Sequence, residues 1–147
     1  MTILKLKQGQ TLVEVLVAVG VTTLLLVAMV AAVTRSLSNA QFSKNKSQAA
    51  KYVEEGLEVI RSIRDNSVNW QAFSTSYPEG VYKLNSQLAL TANCTQADKI
   101  SVSSIFSRCV DISDDGAEKK IIKVTVYWTD GSGAHSTYAS TYLTSWK

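Results

Sequence analysis

The chain has 147 residues, enough for one domain of ordinary size, with a formal net charge of +3. Lys5 and Lys7 set aside, 13 basic face 12 acidic residues, a balance that leaves no electrostatic footprint for nucleic acid. Two cysteines and one histidine are too few for a disulfide-dense scaffold or a dedicated zinc site.

Residues 1–9, MTILKLKQG, form a short basic leader ending in glycine. From Leu12 to Val33, only Glu14, Gly20, Thr22 and Thr23 of 22 residues are not apolar. A helix of that length rises about 33 Å, which matches a bilayer core of about 30 Å. It is too long for a secretory signal's apolar region and lacks a small-residue cleavage site before a polar start. Residues 10–34 are therefore expected to form a membrane helix. Lys5 and Lys7 before it, against Arg35 after it, place the N-terminus in the cytoplasm and the remainder outside.

Residues 35–66 show helical periodicity. Phe42, Ala49, Val53, Gly56, Leu57, Ile60 and Ile63 fall on one stripe, with charged residues over much of the rest. No proline interrupts Val33 to Phe42, so the two segments are expected to run together as one helix of about 55 residues, roughly 80 Å long. Asp65-Asn66-Ser67 marks its end.

Residues 67–147 read as a β-rich head. Tyr82–Leu84 with Leu88–Leu90 suggest a first strand and Ile105–Ile112 a second. In KKIIKVTVYWTD, Ile122, Val124, Val126 and Trp128 alternate with Ile121, Lys123, Thr125 and Tyr127. A turn of about four residues over Asp130–Gly133 leads to a final strand from Ser136 to Trp146, with Tyr138, Tyr142 and Trp146 on one face. Such aromatics are more often core and cross-strand pairs than a ligand platform. The helix stripe then has a partner in the apolar face of an antiparallel sheet, giving an α+β fold.

Cys94 and Cys109 both fall in the head. A bridge would close a loop worth about 3 kcal/mol in the chain-entropy model; two free thiols are the alternative. His135 beside the glycine-rich turn has no marked nucleophile or carboxylate partner and is expected to be a solvent-exposed turn residue. No catalytic motif, metal site or cofactor site is evident, and no enzymatic activity is expected.

Glu14 has two readings. Thr11-Leu12-Val13-Glu14 fits a capping box, threonine as N-cap and glutamate three residues on. A carboxylate within a membrane segment is also a functional hypothesis that requires a positive partner. Cleavage after Gly9 would create one, the α-amine of Gln10, able to neutralise Glu14 of a neighbouring parallel helix.

Leu6-Lys7-Gln8-Gly9 followed by Gln10-Thr11-Leu12-Val13-Glu14-Val15-Leu16-Val17-Ala18 resembles the class III signal of type IV pilins and pseudopilins. The long helix and β head with a late disulfide are similar to that family more loosely, and Ile122–Trp128 with Trp146 resembles its minor V/I-type members. The resemblance implies cleavage between Gly9 and Gln10 by a prepilin peptidase, N-methylation of Gln10, and assembly into a helical filament through Glu14. It departs from the family at Gln10, where phenylalanine is usual.

The function so implied is that of a structural subunit, a minor pilin or pseudopilin. Its partners are other pilin subunits, the peptidase, an inner-membrane assembly platform and, before assembly, membrane lipid. The alternative from another class is a signal-anchored exported binding protein that never enters a filament.

Overall fold

The structure is a computed structural model that describes residues 8–145, with side chains from 11 to 145. Lys5, Lys7 and Trp146 lie outside the described residues. One helix, α1, runs from Gln8 to Asn66. Its length is allowed by the sequence: the single proline of the chain is Pro78, so no residue from 8 to 66 lacks a backbone donor, and Gly9, Gly20 and Gly56 are the only glycines there. At its end, the Ser67 hydroxyl and amide bond back to Ile63 O and Arg64 O at 2.9 and 3.0 Å, and Arg64 suits the negative end of the helix dipole. Because α1 already includes Gln8, Thr11 stands inside the helix and is not its N-cap. The capping box is thereby excluded, and the first turn holds no acidic residue.

The chain divides into two compact units between Ala40 and Gln41. The first is the apolar part of α1. The second joins the rest of α1 to a short helix α2 (Trp70–Ser76) and strands β1 (Gly80–Leu84), β2 (Leu90–Ala92), β3 (Ser107–Asp114), β4 (Lys119–Asp130) and β5 (Gly133–Thr144). All neighbours pair antiparallel, in the order β2-β1-β3-β4-β5.

The sequence pattern did not reveal α2. Its signal is the N-cap Asn69, whose side chain accepts from Ala72 N at 2.8 Å, and its Trp70 indole donates to Ala117 O at 3.0 Å. The expected first strand is in fact two, since Asn85 turns the chain between them: its side-chain oxygen accepts from the amides of Gln87 and Ala89 at 3.0 and 3.1 Å. The second expected strand begins two residues later, at Ser107. The β4–β5 turn falls where expected, over Asp130–Gly133, with Gly131 and Ser132 between the paired ends.

Alternation along β4 buries Ile122, Val124, Val126 and Trp128 against Ala49, Val53, Leu57 and Ile60 of α1. This is the expected match of helix stripe and sheet face. Trp70, Phe73, Tyr82, Leu84, Ile100, Phe106, Val110, Ile112 and Leu143 complete the core. Gly56 lies where helix and sheet pack tightly: a Cβ there would stand 2.8 Å from Val124 Cγ1.

Candidate functional site

From Leu12 to Val33, every large apolar side chain of α1 is exposed, at 52–73% of its surface. The helix periodicity is satisfied internally. The hydroxyls of Thr22, Thr23 and Thr34 bond back to Ala18 O, Val19 O and Val30 O, which hides the polar groups on the helix's own backbone. This is the one described helix long and apolar enough to cross a membrane. Glu14 is exposed among these side chains and has no ion pair or hydrogen-bond partner among the described residues. Gly9 and Gln10 lie in the first turns of α1, but their side chains fall outside the described set.

The second unit shows how the remaining helix is fixed. Arg108 on β3 is fully buried, and its guanidinium donates to the carbonyls of Tyr52, Asn85 and Leu84 at 3.1, 3.2 and 3.4 Å. It also pairs with Glu55 at 3.2 Å. Burial lowers its pKa from the ordinary arginine value, and Glu55 opposes that shift. The sequence reading missed this residue. Its signal was available: Arg108 shares inward parity with Val110 and Ile112, a charged residue at a core position.

Asn45 was missed in the same way. It is buried within the helix stripe, accepts from Gln41 at 3.2 Å and donates to Asp130 at 3.4 Å. Cys94 and Cys109 form a disulfide with Cα atoms 5.6 Å apart, tying the segment after β2 to β3.

His135 departs from expectation. It is half-buried, packs on Phe42 and Trp128 with ring centroids 5.0 and 5.3 Å away, and meets Asp130 and Ser132. Serine, histidine and aspartate together suggest nucleophilic chemistry, but the geometry does not. Asp130 Oδ1 and Ser132 Oγ both meet Nε2 at 3.1 Å, whereas a relay needs one partner on each ring nitrogen. Ser132 also donates to Asp130 at 2.6 Å, so the group locks the turn. Among the described residues no cluster of three or more His, Cys, Asp or Glu side chains is placed to hold a metal ion.

The expected aromatic face also changes. Tyr138 and Tyr142 share a face, but it is the outer one, 63% and 61% exposed. Lys123 and Lys119 lie over their rings at 4.7 and 4.2 Å. Comparison with models of protein families, with curated proteins and with solved structures gave no match.

Proposed function

We propose that the protein is a type IV pilin-like structural subunit, anchored in a membrane by α1 and matured between Gly9 and Gln10 before entering a filament or pseudopilus. The observation that carries this reading is the run of exposed apolar side chains from Leu12 to Val33. So large an apolar surface is not stable in water and requires lipid or neighbouring helices to cover it. An ordinary anchor would need only lipid. Glu14, within the same surface, favours a second environment in which its charge is compensated.

In this reading α1 moves from lipid into a bundle of parallel helices. The α-amine of Gln10 in one subunit neutralises Glu14 of another, which also sets their axial stagger. The head stays outside the bundle and decorates the surface. As a packing element the protein needs no catalytic group, and its partners are other such subunits, the processing peptidase and the membrane platform that assembles them.

Flanking charge does not by itself supply the orientation, since Arg35, Lys44, Lys46 and Lys51 all follow the apolar segment without an intervening acid. The disulfide is the better support: a Cys94–Cys109 bridge is at home in an oxidising compartment, which favours a head outside the cytoplasm.

Mass spectrometry of the protein from its native membrane tests the reading. A chain beginning at Gln10, with an added methyl group, is the expected result. An intact Met1, or a new terminus after Ala31 or Ala32, would exclude it in favour of an anchored or secreted binding protein.

A further inference from the structure

In the head, the sheet covers one side of α1 and leaves the opposite side bare. Ala49, Val53, Gly56 and Ile60 are buried, whereas Lys44, Lys51, Glu54, Glu58 and Asp65 are exposed. Spacings of seven, three, four and seven put those five residues on one helix face, turned away from the core stripe. The ion pairs of this stretch are Arg61–Glu58, Arg64–Asp65 and Arg108–Glu55. Lys44, Lys51 and Glu54 have none among the described residues.

The charges on this face are sorted by sign. Arg35, Lys44, Lys46 and Lys51 follow the apolar segment with no acid among them, and Glu54, Glu55 and Glu58 come next. Successive residues turn by about 100°, so Lys44 and Lys51 lie on one flank of the face, Glu54 and Asp65 on the other, and Glu58 between. An open groove of about 390 Å³ runs along the lysine flank, lined in part by Lys44, Lys51 and Tyr52. Parallel copies related by a screw operation meet through unlike patches, and each is displaced by the same rise at every residue. A lysine flank and an acidic flank on one face suit that kind of contact.

We propose that this face is a second contact between copies of the chain, in which Lys51 of one subunit lies between Glu54 and Glu58 of the next. The inference rests on the filament reading and takes its register from it. Pairing the Gln10 amine of one copy with Glu14 of another displaces the first by four residues, about 6 Å along the helix. The same displacement brings Lys51 of the first level with residue 55 of the other, between its Glu54 and Glu58. The subunit that supplies the amine thus supplies the lysine, and the one that supplies Glu14 supplies the acids. Unshifted copies would instead set Lys51 level with Lys51 and Glu54 level with Glu54, which repels. The shift creates one like pair, Glu54 level with Glu58, and Arg61, 3.3 Å from Glu58 of its own chain, offsets it. Exposed ion pairs contribute little singly, but this one recurs at every subunit and favours one rise over the others. All copies keep the same direction, so every α1 meets the same membrane.

Charge reversal in the full-length chain, expressed in its native membrane, tests this. Lys51→Glu and Glu54→Lys should each lower incorporation into sedimented filaments about fivefold, with cleavage after Gly9 and the melting temperature in detergent unchanged. The double variant Lys51→Glu, Glu54→Lys restores opposite charges across the contact and should recover to within about twofold of the parent. Single reversals that assemble as the parent does, or a double variant no better than the singles, would overturn the contact and leave the filament reading standing. A loss with Lys51→Glu alone, Glu54→Lys being unaffected, would overturn it in favour of anionic lipid as the partner of the lysine. A parent chain that forms no multimer would overturn both the contact and the filament reading.

Discussion

Arg108 and Glu55 face each other at 3.2 Å where helix meets sheet, the arginine side chain 0% exposed and the glutamate 45%. The two ends of this pair are therefore unequal. Arg108→Ala removes the donor to three carbonyls and opens a cavity beneath Gly56, and is expected to cost about 3–5 kcal/mol. Glu55→Gln leaves those three bonds in place and alters only the half-exposed partner, and should cost about 1 kcal/mol or less. Thermal unfolding of both variants in detergent, followed by tryptophan fluorescence, checks the order; equal losses would contradict it.

Gly56 should resist the substitution that helix propensity favours. Alanine there gains about 1 kcal/mol as a helix former, but its Cβ meets Val124 Cγ1 at 2.8 Å and Arg108 Cδ at 3.3 Å. Val124 is buried and stiff at χ1, so the net effect of Gly56→Ala is expected to be a loss of about 1–3 kcal/mol. Adding Val124→Ala should relieve the overlap, making the double variant more stable than the sum of the two single losses.

What could be read from sequence was what periodicity encodes. The helix stripe and the alternation of β4 specify both halves of the core, because each repeats a spacing that only one kind of element can bury. Lone polar residues at stripe positions carried information that averaging over a period hides, so Arg108 and Asn45 passed unnoticed. His135 was misplaced for a related reason: its neighbour Phe42 comes from α1, far away in sequence, and only the assembled fold covers the ring. Tyr138 and Tyr142 alternate correctly, yet the alternation did not say which face of β5 is the inner one. Asn85 and Asn69 act through local side-chain bonds to backbone, which leave no hydrophobic pattern.

The head should lose stability in acid. The Lys83 ammonium, with the Thr95 hydroxyl and amide, holds the Asp98 carboxyl at about 2. The Ser132 hydroxyl, then its amide, lowers Asp130 in the same direction. A carboxyl whose folded pKa lies below its unfolded value of about 3.9 contributes stability above that value and loses it as pH falls through the folded one. The melting temperature should therefore be level near neutrality and fall between about pH 4 and pH 2. Asp98→Asn should melt lower than the parent at pH 7 and converge with it near pH 2. A constant gap across that range would show that Asp98 does not act through its charge.

Reducing the Cys94–Cys109 bridge should cost about 3 kcal/mol, the chain-entropy value for a loop of 15 residues. The loss should be local first. Hydrogen exchange is expected to rise first between Asn93 and Phe106, which the disulfide ties to β3 beside the Lys99↔Ser107 pair and the Ser107 Oγ bond to Gln96 O, while β4 and β5, joined along twelve paired positions, stay protected. Uniform loss of protection would mean that the bridge supports the whole sheet.

Glu14 discriminates between an anchor and an assembly element. Within an anchor alone, a carboxylate among exposed apolar side chains is a cost, and Glu14→Ala should leave membrane insertion unchanged or improved. Within a filament, the same change removes the group that compensates a neighbour's α-amine, so incorporation should fall although insertion does not. A loss confined to incorporation separates this outcome from simple misfolding. Gly9 supplies the companion test. A bulky replacement such as Gly9→Leu should keep the leader attached, leave no free amine at Gln10, and lower incorporation as Glu14→Ala does. If both variants enter filaments normally, the charge pair between subunits is not what sets the stagger, and the carboxylate must find its compensation within the chain or in lipid.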